Sequence, residues 1–321
     1  MGVQTISRTK FNFPGQTGIY HGKVRDVYTI DDKYLVAVAT DRISAFDVIL
    51  PKPIPYKGQV LNQLAAYFLK NTADIVPNWL LSAPDPNVSI GLKCEPFKIE
   101  MVIRGCLVGH AWREYKAGKR SISGAPIPDN LNEYGLFPEP IITPATKAEA
   151  RHDEDISPRG IMGRGLATKE EYEKLAEITR KLFAKGQKMA RERGLFLADT
   201  KYEIGKLDGK FYVIDEIHTP DSSRYFYADS FEAYINGKTK QTPKHLSKEF
   251  VREWLMDKGF SGQAGQKMPE LDNEFVNSVS ERYIELYEEM TGENFIKADS
   301  KIPSKERIET AIIKELKDLR S

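Results

Sequence analysis

The chain is predicted to be of the α+β class, on three observations. Residues 15–50 and 197–214 carry short runs with strand-like patterning, broken by glycines and by Asp-Asp or Asp-Gly turns. Residues 58–71 and 168–193 carry apolar residues at helical spacing, and from Ser247 onward the pattern is again helical. At 321 residues the length fits about two domains, each able to bury a substantial core.

Each element has a local reason. Gly15, Gly18 and Gly22 punctuate the start, a strand is expected over 23–28, and Asp31 and Asp32 turn the chain into a second over 34–40. Val60, Leu61, Leu64, Ala65 and Phe68 make 58–71 an amphipathic helix, and proline and asparagine mark 77–87 as a loop. A short apolar strand over 100–105 carries Arg104 at its end, and the domain boundary is placed there, giving 1–102 and 103–321. Residues 118–165 are rich in glycine, proline and polar groups, which reads as a long functional or disordered loop. The helix over 168–193 opens on a capping box, Thr168 with Glu171, and stops at Gly194. One C-terminal helix opens near Ser247 and another covers 273–290. The last, over 304–319, is expected to be a solvated cap with one apolar stripe of Ile308, Ile312, Ile313 and Leu316.

Composition excludes several classes. The formal net charge of +1 argues against a general nucleic-acid binder, so phosphate recognition should be local. No apolar run approaches 18 residues and the first residues lack a signal-peptide core, so neither a membrane span nor a secretory leader is expected. Two cysteines, Cys94 and Cys106, fit packing in a reducing, cytoplasmic setting. No zinc ligand pattern and no nucleophile motif is present.

The chemistry concentrates in 197–226, LADTKYEIGKLDGKFYVIDEIHTPDSSRYF. Alternate residues of a strand share a face, so Asp199, Lys201 and Glu203 project together while Thr200, Tyr202 and Ile204 pack behind. After a turn at Asp208 and Gly209, an apolar run ends abruptly in Asp215 and Glu216. Carboxylates on adjacent strands beside a lysine suit a divalent ion and phosphate, because Mg²⁺ takes one or two carboxylates plus substrate phosphate oxygens. Ser222, Ser223 and Arg224 offer hydroxyls and a guanidinium for a second anion. The plain alternative is a solvated hairpin of surface ion pairs. Register is open: a two-residue loop puts Glu203 on a face with Glu216, and an odd-length or bulged loop puts it with Asp215.

Other blocks carry weaker signals. Lys23 and Arg25, on one strand face after Gly22, suit nucleotide phosphates or form an exposed basic strand. The block Thr40, Asp41, Arg42, Ile43, Ser44, Ala45, Phe46, Asp47 reads equally as substrate contact or as turn and cap chemistry. Arg104, emerging from an apolar strand, needs a structural carboxylate or an anionic ligand. His110 reads as a structural histidine. The run His152, Asp153, Glu154, Asp155 reads as an acidic loop or a metal site.

In order, GKVRDVY, ATDRISAFDVILPKPIPYKGQVLN, CEPFKIEMVIRG, GHAWREY, ITPATKAEARHDEDIS, LADTKYEIG and DEIHTPDSSRYF resemble the SAICAR synthetase family over about residues 22–295. SKEFVREWL and SERYIELYEEMTG fit its longer form. The resemblance implies an ATP-dependent ligase of purine biosynthesis. It would join carboxyaminoimidazole ribonucleotide (CAIR) to L-aspartate, release ADP and phosphate, and pass through an acyl phosphate. It implies a small kinase-like β-rich N-terminal lobe and a larger α+β, ATP-grasp-like lobe with a helical C-terminal extension, with ATP between them. By the same resemblance Lys23 and Arg25 lie over the ATP phosphates. The adenine meets backbone near 98–102, with Glu100 among the cofactor-binding residues. Glu203 and Asp215 hold Mg²⁺, which on the strand argument demands the odd-length register. Lys201 and Asp199 flank the transferring phosphate, and His152 and Asp153 sit near the substrate carboxylate. Arg104, Ser222, Ser223 and Arg224 hold the ribonucleotide and its phosphate, and His110 is counted among the substrate-binding residues by its position. Ser44 and Asp47 belong to the region considered for L-aspartate. The expected partners are these small molecules, with no nucleic acid or membrane, in a monomer or homodimer.

The chain departs from the family pattern twice. His110 stands where serine is common and associated with ribonucleotide phosphate binding, and Asp155 stands where asparagine is usual.

Overall fold

The structure is a computed structural model that describes residues 4–147 and 154–321. Strands and helices are mixed along the chain, as an α+β protein requires, and the chain divides into two compact units. No helix among the described residues is long and apolar enough to cross a membrane.

The first unit runs to Tyr67 and adds Trp79–Lys93 and Lys248–Ser321. Its sheet is antiparallel, in the order Gln16–His21, Arg25–Ile30, Tyr34–Ala39, Val88–Leu92, Leu80–Asp85. Period-two alternation buries Asp26, Tyr28 and Ile30 on one face. Phe11, Phe13, Tyr28, Val36, Val38, Val88 and Ile90 form a core there.

That core is completed by Ile308, Ile312 and Leu316 of the Ser304–Arg320 helix, whereas Ile313 stays exposed. Residues four apart stack on one helical face, so the stripe is an integral layer of this unit rather than a solvated cap. Arg307 anchors it through an ion pair with Asp85 and a 2.8 Å hydrogen bond to Asn87. Arg320 donates to Asp31 at 2.8 Å. The units therefore do not divide at 102/103. The C-terminal helices group with the N-terminal sheet, and a cut at 102 would sever the continuous strand Glu95–Cys106, which belongs whole to the second unit.

The second unit, Phe68–Asn78 with Cys94–Ser247, is built on a sheet ordered Leu136–Ile142, Glu95–Cys106, Leu195–Leu207, Lys210–Ile214. Ser223–Tyr227 also pairs with Leu195–Leu207, and Ala145–Thr146 with Glu95–Cys106. Among the described residues, the stretch 118–165 is therefore not a structureless loop. It holds the Leu136–Ile142 strand, a two-strand hairpin at 121–126 and the Pro158–Gly163 helix.

The Lys169–Arg191 helix has the expected capping box, in which the Thr168 and Glu171 side chains each accept from the other's backbone N–H. It buries Leu175, Leu182, Phe183 and Ala190. Gly186 lets the helix approach the fully buried His218 ring, which would lie 2.3 Å from a Cβ there. Burial pushes His218 down to about 3, so the ring is neutral, and its Nε2 hydrogen-bonds the Tyr202 hydroxyl at 3.2 Å. This is the packed back of the strand whose front carries the charged residues.

Candidate active site

The long strand Leu195–Leu207 organises the charged groups of the second unit. Asp199 pairs in register with Arg104 on one neighbouring strand and Arg224 on the other. Both guanidinium groups donate to the same oxygen, Asp199 Oδ2, Arg104 at 3.0 Å. Arg104 also donates from Nε to Thr143 at 2.9 Å and is buried, as is Asp199. Burial lowers Arg104 from the ordinary guanidinium range, and Asp199 opposes that shift. Two cations thus share one carboxylate, an arrangement suited to a further anion.

The Gly109–Lys116 helix begins beside this cluster. Gly109 has φ of +55°, and a Cβ there would sit 2.2 Å from the Arg224 guanidinium. The position therefore requires glycine. No side chain caps the first turn of this helix, whose N–H groups and dipole favour anions. His110, in that turn, hydrogen-bonds Asp155 at 3.0 Å between Nε2 and Oδ2. That contact is first among the causes holding Asp155 below the usual carboxylate range. The two positions that depart from the family pattern thus contact each other.

Two residues further along the same strand face the polarity reverses. Lys201 bonds Glu100, and its Nζ lies 4.0 Å from Glu203. Glu203 accepts a hydrogen bond from Lys147. Burial works against the charge on Lys201, but Glu100, Glu203 and Asp215 outweigh it and raise its basicity.

The hairpin has the two-residue loop: Leu207 pairs with Lys210, and Asp208 and Gly209 both have positive φ. Glu203 is therefore opposite Ile214, and the odd-length register expected for a Glu203–Asp215 pairing is absent. Asp215 still enters the neighbourhood of Lys147 and Lys201 because the strand ends at Ile214. With φ of +62°, Asp215 leaves the alternation that governs strand faces.

Among the described residues no group of three or more His, Cys, Asp or Glu could hold a metal. Glu203 and Asp215, which both act on Lys147 and Lys201, are hard-oxygen donors of the kind Mg²⁺ takes with substrate phosphates. Ser222 lies in a tight turn, and Ser223 opens the Ser223–Tyr227 strand opposite Thr200. The Ser222 hydroxyl interacts with Thr219, and that of Ser223 lies 2.8 Å from Thr200. Asp153 and His152 lie outside the described residues.

In the first unit, Lys23 lies in the bend before the Arg25–Ile30 strand, so it does not share a strand face with Arg25. It forms an ion pair with Asp47. Asp47 and Phe46, both with positive φ, turn a small hairpin whose first strand carries Ser44. Arg42 fastens the bend: it donates to the carbonyls of Lys23 (3.1 Å), Gly22 (2.8 Å) and Ser7, and to Asp26 (2.9 Å). Asp26, fully buried, also accepts from Thr9 and hydrogen-bonds His21. Burial pushes Asp26 up, and these hydrogen bonds outweigh it and hold it below the usual range.

Sequence reasoning assigned no role to Lys147 and no specific role to Arg42. Lys147 stood in a quoted motif but in no residue pattern, since its partner Glu203 lies 56 positions away. Arg42 could have been suspected from a lone arginine next to a short polar turn, but its carbonyl acceptors carry no side-chain signature.

A SAICAR synthetase family model matches residues 18–269, more than half of the chain. A phosphoribosylaminoimidazole-succinocarboxamide synthase of Cytophaga hutchinsonii is 57% identical over 315 residues, covering 98% of this chain and 100% of the relative. The solved Saccharomyces cerevisiae SAICAR-synthase complexed with SAICAR superposes with a TM-score of 0.75 at 33% identity, covering 90% of this chain and 99% of that one. A SAICAR synthetase (Type-2) in complex with ADP gives a TM-score of 0.67 at 26% identity, covering 87% of this chain and 100% of that one.

Proposed function

The chain belongs to the SAICAR synthetase family, and from that premise we propose how its residues carry the reaction. The enzyme is a ligase of purine biosynthesis that joins CAIR to L-aspartate at the expense of ATP. A carboxylate cannot expel oxide, so the CAIR carboxylate oxygen attacks the γ-phosphorus and ADP departs. The aspartate amine then attacks the acyl phosphate carbon, loses a proton, and inorganic phosphate leaves. Such chemistry needs positioned charge and no protein nucleophile.

The observation that carries this reading is the front of the Leu195–Leu207 strand. It sets a cation-rich arginine cluster two residues from a lysine–carboxylate cluster. Arg104 and Arg224, both held on Asp199, hold the ribonucleotide phosphate with the first turn of the Gly109–Lys116 helix. Lys201 remains charged and steadies the transferring phosphoryl group. Lys23 and Arg25 hold ATP phosphates, the former presented by the bend that Arg42 fastens. Glu203 and Asp215 are the ligands for Mg²⁺, which when bound neutralises phosphate charge. Asp153 acts at the substrate carboxylate, and Ser44 and Asp47 belong to the L-aspartate region. The enzyme works in the cytoplasm as a monomer or homodimer, consistent with Cys94 and Cys106 being unlinked and buried.

The test is ADP release from purified protein with ATP and Mg²⁺, omitting CAIR and L-aspartate in turn. Turnover that needs both and yields the succinocarboxamide is the expected result. ADP release equally fast with CAIR alone would replace ligation by phosphorylation, and silence under every combination would remove the assignment.

A further inference from the structure

Glu203 already has a cation on it. Its Oε2 accepts from the Lys147 ammonium, while Oε1 is 4.0 Å from Lys201. The two lysines are held differently. Lys201 has its own partner, Glu100, and its side chain is 35% exposed. Lys147 is 47% exposed, its ammonium donates to Glu203, and it feels both Glu203 and Asp215. Its backbone is fixed by the hydrogen bond from its N–H to the Lys98 carbonyl at 3.0 Å. The root of the side chain is therefore anchored, and the four-carbon stem leads to a half-exposed head.

An ammonium and a divalent ion cannot both sit against one carboxylate oxygen without strong repulsion in a partly buried site. We propose that Lys147 is the internal counter-ion of the metal-free enzyme: it holds the Glu203 carboxylate in place and vacates it when a divalent cation binds Glu203 and Asp215. This rests on the reading of those two carboxylates as metal ligands. Lys147 is a positioning residue with a cost built in, because the metal must displace it. Once displaced, its ammonium remains within a side chain's reach of the site and is available to the phosphate that arrives with the metal.

Binding of Mn²⁺ alone, with no nucleotide, tests the proposal directly through the electron paramagnetic resonance signal of the free ion. Lys147→Gln, which keeps a donor and removes the charge, should bind Mn²⁺ about tenfold more tightly than the wild type. Lys147→Arg should restore wild-type affinity, and Glu203→Gln should lose most of the binding. If Glu203→Gln loses binding while Lys147→Gln binds no more tightly than wild type, the counter-ion role is overturned and the metal ligands stand. If Glu203→Gln binds like wild type, the ligand assignment falls and the proposal with it.

Discussion

Each unit buries an arginine–aspartate network, and the two are built in opposite ways. Around Asp26 a single guanidinium, Arg42, meets one carboxylate and three backbone carbonyls, and Asp26 adds Thr9 and His21. Around Asp199, two guanidinium groups converge on one carboxylate oxygen. The first network spreads its donors over protein acceptors, which is the composition of a clamp. The second concentrates two positive charges on one negative charge, which is the composition of a receptor.

The comparison can be broken, beginning with its largest expected effect. Arg42→Ala should cost about 3–4 kcal/mol of stability, because it removes the guanidinium from a fully buried carboxylate and leaves it only Thr9 and His21. It should also weaken ATP binding by loosening the Lys23 bend. Urea unfolding checks it, and a loss under about 1 kcal/mol would mean the network is no clamp. Arg224→Ala should do the reverse. Asp199 keeps Arg104, so stability should change little, while the KM for CAIR rises about 100-fold and that for ATP holds. Equal losses in both KM values, or in stability alone, would make this arginine structural.

The smallest effect concerns a third buried aspartate. Asp41 accepts from the Ile6 and Gly58 N–H groups at 2.7 and 2.9 Å, yet burial pushes it up to about 6. Folded Asp41 therefore keeps its proton to higher pH than unfolded Asp41, and the stability it adds is full below pH 3.8 and lost as pH rises through about 6. Asp26, held low, acts with the opposite sign: its contribution is present above 3.8 and lost as pH falls through its folded value. Between pH 4 and pH 6, Asp41 alone should remove about 2 kcal/mol, read as the difference between urea midpoints of the wild type and Asp41→Asn at the two pH values. A pH-independent difference would show that the carboxyl is ionised throughout.

What could be read in advance follows the range of the interaction. The Lys169–Arg191 helix was legible because its capping box and apolar spacing are local. The shared face of Asp199, Lys201 and Glu203 was legible because strand alternation is local too. The Ser304–Arg320 stripe was visible, but its destination was not: Ile308, Ile312 and Leu316 complete a core whose strands lie more than 200 positions away. Misplacing that helix misplaced the domain boundary. The Lys23 and Arg25 pairing failed for a local reason, since the bend before the strand takes Lys23 out of the alternation. Asp215 escaped the register argument because one left-handed residue ended the strand.

By itself the sequence determined the α+β class, the capping box of the Lys169–Arg191 helix, the residue types at the site and, through seven ordered motifs, the family. Each of these is carried by neighbours a few positions apart or by the order of blocks along the chain. Only the tertiary structure decided that Arg104 and Arg224 share Asp199, that His110 meets Asp155, and that Lys147 rests on Glu203. Those contacts join residues 25 to 95 positions apart. Charge attraction acts through space without regard to chain order, so its partners are chosen by strand register and packing, after the local rules have been spent.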